Sequence, residues 1–209
     1  MFFLFFIKNA NIYNDVTISN KKNVTIDLNG YDIYITKKIT NGGSLNLVNS
    51  GTNLATIHNP TSMPLVTNNN VLYINNVCLR SDYAYALYNN KEANIEDSNL
   101  SGYGGISNSK TGSVVSVSST YGGTYTGIYN SGKLNLTETT ISADSYGIYI
   151  DAPTISEEMI IDDIVVTQKN GTSGTAIYNH SGMLKVNNLR TNGGISNYTK
   201  STLNVNTGT

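Results

Sequence analysis

Four residues in the last third of the chain could together perform acid–base chemistry. Asp162 and Asp163 are adjacent carboxylates, His180 is a side chain that titrates near neutral pH, and Arg190 could stabilise a negative charge. This chemistry requires all four groups to meet at one point, so the elements that carry them decide whether the set is catalytic.

The other reactive side chains stand alone in the sequence. His58 and His180 are the only histidines, and neither has a partner at metal-ligand spacing, so we expect both in surface turns. Cys78 is the only cysteine and cannot form an internal disulfide. Strand alternation points it outward, and with no histidine close by in the repeat it is not predicted to be a nucleophile.

One acidic cluster offers the oxygen ligands that calcium prefers. Its members are Glu157, Glu158, Asp162 and Asp163. They do not follow a calcium-loop spacing, so a charged, solubilising loop is the favoured interpretation and a calcium site is the alternative. The sequence predicts no cofactor.

A short repeat organises the chain. A small residue, then Ile or Leu, then Tyr or Ser, then Asn recurs at Ala86–Asn89, Gly105–Asn108, Gly127–Asn130, Ala176–Asn179 and Gly194–Asn197, and the variant Gly147–Ile150 lacks the Asn. Each copy is followed by short segments that alternate inward and outward, such as Leu72–Leu79. Such strands can bury their apolar residues only by stacking. The repeat therefore predicts an all-β fold, a right-handed parallel β-helix of about eight coils of roughly 20 residues.

The domain organisation follows from the repeat. Residues 1–209 are predicted to form a single β-helix domain that is a segment of a longer protein. Residues 1–11 are an N-terminal cap or a ragged start, and residues 151–158 are an insertion between coils. The last residues offer no apolar cap, so we expect that end to continue into further coils or to associate with another chain.

The register separates the four acid–base candidates. Asp162–Asp163 aligns with Asn75–Asn76 and Asn187–Asn188 at the corner between the second and third strands of a coil. His180 follows the first strand and Arg190 follows the third. The sequence therefore predicts a solvated corner, and the enzyme interpretation is disfavoured but left open.

The recurring asparagines have a structural interpretation. Amides at equivalent corners can hydrogen-bond to one another along the rod. The repeat predicts one such ladder, formed by Asn89, Asn108, Asn130, Asn179 and Asn197.

The repeat resembles a known family. Gly127–Thr137 looks like the repeating coil of pectin-lyase-like β-helices, and Val24–Gly30 with Gly42–Leu47 resembles their entry coil. The resemblance covers residues 12–205 and implies a bacterial protein of the surface, adhesin-like type. Polygalacturonase-like relatives also carry an Asp pair, a His and an Arg, but their His-Gly and Arg-x-Lys contexts are absent from this chain.

Composition and charge exclude several partners. Only 13% of the residues are charged and the net charge is -1, so nothing favours binding to nucleic acid or to an anionic membrane. No segment reaches the ~20 apolar residues of a membrane span.

Tyrosine is the remaining signal. If the recurring Ile and Leu point inward, the next residue points outward, which places Tyr88, Tyr129, Tyr149 and Tyr178 in a stripe on the face where the relatives bind sugar. A tyrosine ring can pack on a sugar face and its hydroxyl can hydrogen-bond. Ordinary packing of aromatic residues on a sheet is the alternative.

The leading hypothesis is a non-catalytic extracellular or cell-surface β-helix module of an adhesin-like protein, which binds a carbohydrate or a protein partner. The alternative is a polysaccharide-active enzyme, a lyase, hydrolase or epimerase, whose active residues lie at the insertion and the acidic residues that follow it, residues 151–163.

Overall fold

The protein is a right-handed parallel β-helix, as the repeat predicts, and it has about nine turns rather than the predicted eight. A computed structural model describes residues 1–169, 174–198 and 201–206. All 23 regular elements in these ranges are strands, and every strand pair is parallel. Within the same ranges, no helix is long and apolar enough to cross a membrane.

Each coil contributes strands to three faces. Face I contains β1 (Phe2–Phe5), β4 (Asn23–Asp27), β7 (Ser44–Val48), β10 (Val71–Asn75), β13 (Glu92–Glu96), β15 (Ser113–Val117) and β23 (Thr202–Asn206). Face II contains β2 (Ala10–Ile12), β5 (Ile33–Ile35), β8 (Ala55–Asn59) and β11 (Val77–Ser81). Face III contains β3 (Val16–Ile18), β6 (Ile39–Asn41), β9 (Val66–Asn68), β12 (Tyr85–Asn89), β18 (Tyr146–Asp151), β20 (Thr175–Ser181) and β22 (Gly194–Asn197).

Five longer strands bend round a corner and serve two faces. β17 (Lys133–Ala143), β19 (Met159–Gln168) and β21 (Met183–Thr191) run from face I into face II. β14 (Asn99–Asn108) and β16 (Thr120–Asn130) run from face II into face III.

The core consists of apolar rows that run along the rod. Leu45 and Leu47 of β7 are fully buried, while Asn46 between them faces outward. The register places Leu45 against Leu72 of the next coil, and Leu72 against Ala93. Each buried Leu or Ile contributes roughly 1.5–3 kcal/mol, and no single coil could bury these side chains alone.

The corner between faces I and II turns on a left-handed residue. Non-glycine residues there have φ between 48° and 56°, namely Asn76, Asp97, Ser118, Glu138, Asp163 and Asn188. Asn and Asp adopt this conformation at least cost because their side chains can bond to the local backbone. The predicted alignment of the Asp162–Asp163 pair with the other corners is confirmed.

A buried asparagine ladder follows face III at its corner with face I. The Nδ2 of each residue donates to the Oδ1 of the next at 2.7–2.8 Å, through Asn41, Asn68, Asn89, Asn108 and Asn130. The ladder therefore begins two coils earlier than the repeat predicts.

The ladder is not continuous, which corrects the prediction of a single row. Ile150 occupies the ladder position between Asn130 and Asn179, and it cannot donate a hydrogen bond. The Asn130 amide instead contacts the Met159 sulfur at 3.3 Å. The bond pattern resumes from Asn179 to Asn197 at 3.0 Å.

The N-terminal apolar segment is an additional strand. β1 pairs in parallel with β4 and so extends face I by one strand. Phe2, Phe3 and Phe5 remain exposed at this end of the rod.

Candidate functional site

A row of tyrosine rings lies on the outer surface of face III. Tyr129, Tyr149 and Tyr178 occupy equivalent positions in β16, β18 and β20, each directly after a fully buried Ile. The ring centroids are 5.3 Å apart from Tyr129 to Tyr149 and 4.8 Å apart from Tyr149 to Tyr178, with interplanar angles of 21° in both pairs. The spacing is that of neighbouring strands, as the repeat predicts.

The stacking determines which part of each ring a ligand can reach. Tyr149 lies between two nearly parallel rings, so both of its faces are covered. Its edge and hydroxyl remain available for contact. Burial, and then the charge of Asp151, raise the pKa of Tyr149, so this hydroxyl stays protonated and can donate a hydrogen bond at neutral pH.

A second row of tyrosines runs beside the first, where face II meets face III. Tyr103 stacks on Tyr125 at 5.2 Å, and Tyr85 meets Tyr103 edge to face at 5.8 Å. Tyr146 joins the rows, since its ring is 5.2 Å from Tyr149 and 5.3 Å from Tyr178. We define the tyrosine surface as Tyr85, Tyr103, Tyr125, Tyr129, Tyr146, Tyr149, Tyr178 and Tyr198.

The sequence contains a signal for this second row. In four consecutive copies of the repeat, a tyrosine lies three or four residues before the residue that faces outward. These tyrosines are Tyr85, Tyr103, Tyr125 and Tyr146. The alternation of inward and outward residues does not by itself reveal this second row. The corner between faces II and III changes length, which interrupts the two-residue period of the strands.

Glycine at the start of face III makes room for the rings. A Cβ on Gly104 would lie 2.2 Å from Cε1 of Tyr85, which is too close for any side chain. Gly104 thus leaves room for the Tyr85 ring of the preceding coil.

Polar groups border the C-terminal end of the tyrosine surface. Asp151 Oδ1 accepts a hydrogen bond from Ser181 Oγ at 2.8 Å and lies 3.3 Å from His180 Nδ1. The His180 ring lies parallel to Tyr178 with a centroid distance of 6.4 Å. A hydrogen bond with Tyr198 raises the pKa of Tyr178 to about 12.

Comparisons with protein families, curated proteins and solved structures found no match.

Tyr88 is also predicted for the stripe, but it is not part of the stacked row of tyrosine rings. It is 38% exposed, and its partner on the next coil is Ser107 rather than a tyrosine. Ser107 separates Tyr88 from Tyr129, so the stacked row begins at Tyr129.

The acid–base candidates of the sequence lie on different parts of the rod. Asp163 forms the corner between faces I and II, His180 belongs to face III, and Arg190 belongs to face II. His58 and His180 lie in β8 and β20, so the expectation that both occupy surface turns is wrong. Their side chains face outward from regular strands.

The four calcium candidates do not converge. Glu157 forms an ion pair with Lys133 at 2.6 Å, and Glu158 accepts a hydrogen bond from Asn204 at 3.1 Å. In the described ranges, no group of three or more His, Cys, Asp and Glu side chains could hold a metal ion. The 152–158 segment is a loop between β18 and β19, and Ile155 packs against the core.

Proposed function

We propose that this chain is a non-catalytic recognition module of an extracellular, adhesin-like surface protein of the pectin-lyase-like type, and that the tyrosine surface is its binding site. The observation that supports the proposal is the continuous contact of eight tyrosine rings along one side of the rod. The separation of the acid–base candidates is consistent with binding rather than catalysis.

An extended glycan is the ligand that this geometry favours. The row of Tyr129, Tyr149 and Tyr178 presents a ring edge and a hydroxyl at each coil, about 5 Å apart. A linear polymer of hydroxyl-bearing rings can meet such a row with one hydrogen bond per step. Because the ring faces are covered, sugar stacking on Tyr149 does not contribute to this mode.

A protein partner is the second candidate. Tyrosine is enriched in protein interfaces because it offers a large amphipathic contact at low cost in conformational entropy. The second row favours this mode, since Tyr103 and Tyr125 are each 40% exposed and widen the surface beyond the width of a single glycan chain.

A glycan array, followed by titration of the best ligand, tests the proposal. Tyr149→Phe removes only the hydroxyl and should weaken binding by ~0.5–1.5 kcal/mol, the usual net value of a hydrogen bond. Tyr83→Ala is the control, because Tyr83 is 71% exposed and lies outside the tyrosine surface. A glycan whose affinity ignores changes at Tyr129, Tyr149 and Tyr178 would show that the surface is ordinary sheet packing.

The same glycan panel separates the enzyme alternative. New reducing ends or unsaturated products from uronate or neutral glycans would contradict a non-catalytic module. Capture of no glycan, with a tyrosine-dependent protein partner, would support the second mode.

A further inference from the structure

A column of four different polar side chains lies on the outer surface of face II, near the N-terminal end. The strand register aligns Asn11 with Tyr34, Tyr34 with His58, and His58 with Arg80, on four successive coils. Each points outward because its neighbours in the strand point into the core. The tyrosine surface lies on a different face, so this column is a separate feature.

Asp82 contacts the last two side chains of the column, His58 and Arg80. It lies in the turn after β11, and its Oδ1 is 3.1 Å from both His58 Nε2 and Arg80 Nε. His58 Nε2 lies within ion-pair distance of Asp82 Oδ1, but the two atoms are not aligned for a hydrogen bond. Burial by itself would raise the pKa of Asp82, but His58 and Arg80 outweigh it and lower the pKa, so the carboxylate is charged at neutral pH.

The ring of Tyr34 is also oriented by its neighbour. It meets the His58 ring edge to face with a centroid distance of 5.6 Å and an interplanar angle of 80°. Tyr34 is 38% exposed. It is thus an oriented aromatic ring that a ligand can reach.

A second polar column borders the first and completes a cavity. The Asp32 N–H donates to Asn9 Oδ1 at 2.9 Å, and Asp32 Oδ1 accepts from the Thr56 N–H at 2.8 Å. The cavity has a volume of about 350 Å³ and is lined by Asn9, Asn11, Asp32, Tyr34, Thr56, His58 and Arg80, among others. This volume lies in the range of small-ligand pockets, ~300–1,000 Å³.

The charges of the cavity decide the class of ligand. Among the lining residues, Arg80 contributes one positive charge and Asp32 one negative charge, with histidine counted as neutral, and Asp82 beside the cavity forms an ion pair with Arg80. The balance disfavours an anion. Donors and acceptors are both present, beside an oriented aromatic ring, and this mixture suits the hydroxyl groups of an uncharged sugar.

We propose that face II carries a second binding site for a neutral saccharide. Asn11 and Arg80 donate hydrogen bonds to its hydroxyls, the Asp32 carboxylate accepts hydrogen bonds from them, and the ring of Tyr34 contacts the sugar. Asp82 and His58 are positioning residues, because they orient Arg80 and Tyr34. The site does not depend on the tyrosine surface.

The two histidines allow separate readouts of the two sites. His58 lies in the face II cavity and His180 lies beside the tyrosine surface, so their imidazole proton signals report on each surface independently. We would titrate the intact chain with maltose and with cellobiose, and with glucuronate and inorganic sulfate as charged comparators. His180→Gln assigns the two sets of signals.

The expected result is a saturable shift of the His58 signals with at least one neutral disaccharide. Arg80→Gln should weaken that binding ~10-fold, the usual cost of a lost hydrogen bond to a charged group. Arg190→Gln is the matched control, because Arg190 is the only other arginine and also belongs to face II. Asn11→Ala is a second test. Asn11 is exposed, and its substitution leaves the contacts of Asp82 unchanged.

Two results would overturn the proposal. Saturation by glucuronate or sulfate, but by neither disaccharide, would show that the class of ligand is wrong. No saturable shift of His58 with any probe, or an equal loss in Arg190→Gln, would show that the cavity is not the site.

Discussion

The coils before and after Asn130 form the corner between faces III and I in different ways. From Asn41 to Asn130 the buried amides bond to one another at every step. At the next coil Ile150 interrupts this ladder, and Asn179 Oδ1 is a buried atom without a hydrogen-bond partner among the described residues. The tyrosine row nevertheless crosses the interruption unchanged.

This difference shows that two separate rows connect the coils along the axis. One is a buried row of amides, and the other is a half-exposed row of aromatic rings. Where the first is interrupted, the second continues. The regular spacing of the tyrosines is therefore not a by-product of a regular ladder beneath them.

The largest expected effect is that of Ile128→Asn, which lies in the coil where the ladder is intact. Ile128 is fully buried and is stacked between Ile106 and Ile148. An amide there would lie in the apolar row, two residues from the ladder, and would lack a partner. We expect a loss of about 4 kcal/mol or more in the free energy of unfolding, measured with urea. A loss below ~2 kcal/mol would contradict the packing described for this row.

Asn108→Ala should be the next most damaging change. Its side chain accepts from Asn89 and donates to Asn130 Oδ1 and to the Lys133 carbonyl, all at 2.7–2.9 Å. Alanine removes all three of these hydrogen bonds, so we expect a loss of ~3 kcal/mol in urea unfolding. Asn197→Ala is the matched control at an exposed end of the ladder, where the loss should stay below ~1 kcal/mol. Equal losses would mean that burial does not determine the value of a ladder position.

Tyr149→Ala tests the aromatic row at the coil that has no ladder amide. It removes the ring that contacts Tyr129, Tyr146 and Tyr178. We expect a loss of ~1–2 kcal/mol in thermal or urea unfolding. Tyr88→Ala, which has no tyrosine opposite it on the next coil, should lose ~0.5 kcal/mol or less. If the two variants were equally stable, the ring contacts would not connect the coils.

Ile150→Asn should have the smallest effect, although the substitution is the same as in Ile128→Asn. Position 150 aligns with Asn130 and Asn179, so the new amide can accept from one and donate to the other. These bonds should offset most of the lost apolar burial, leaving a change within ~1 kcal/mol. Destabilisation as large as that of Ile128→Asn would show that the ladder cannot be extended through this coil.

The repeating parts of the fold could be predicted from the sequence. Alternation and alignment of the copies predicted the buried Ile positions, the corners that contain Asn76 and Asp163, and the outward row of Tyr129, Tyr149 and Tyr178. These features recur in each coil, so every copy reinforces the same interpretation.

The parts that do not repeat could not be predicted in this way. Asp82 reaches His58 and Arg80 because of the path of one turn, and the alternation along a strand does not predict such a path. Tyr103 lies in an irregularity between Gly102 and Gly104, where the two-residue period is lost. The ladder contact from Asn130 to the Met159 sulfur likewise depends on the length of one loop.

The interrupted ladder also has a mechanical consequence. A rod of stacked coils that is pulled from its two ends peels one coil at a time, and each step breaks the bonds between that coil and the next. Near Ile150 a step breaks backbone bonds and ring contacts, but no amide pair links Asn130 to Asn179 across it. Nearer the N-terminus, from Asn130 back to Asn41, every step must break an amide–amide bond as well. Under tension along the axis, the step near Ile150 therefore breaks one kind of side-chain link fewer than each step between Asn41 and Asn130.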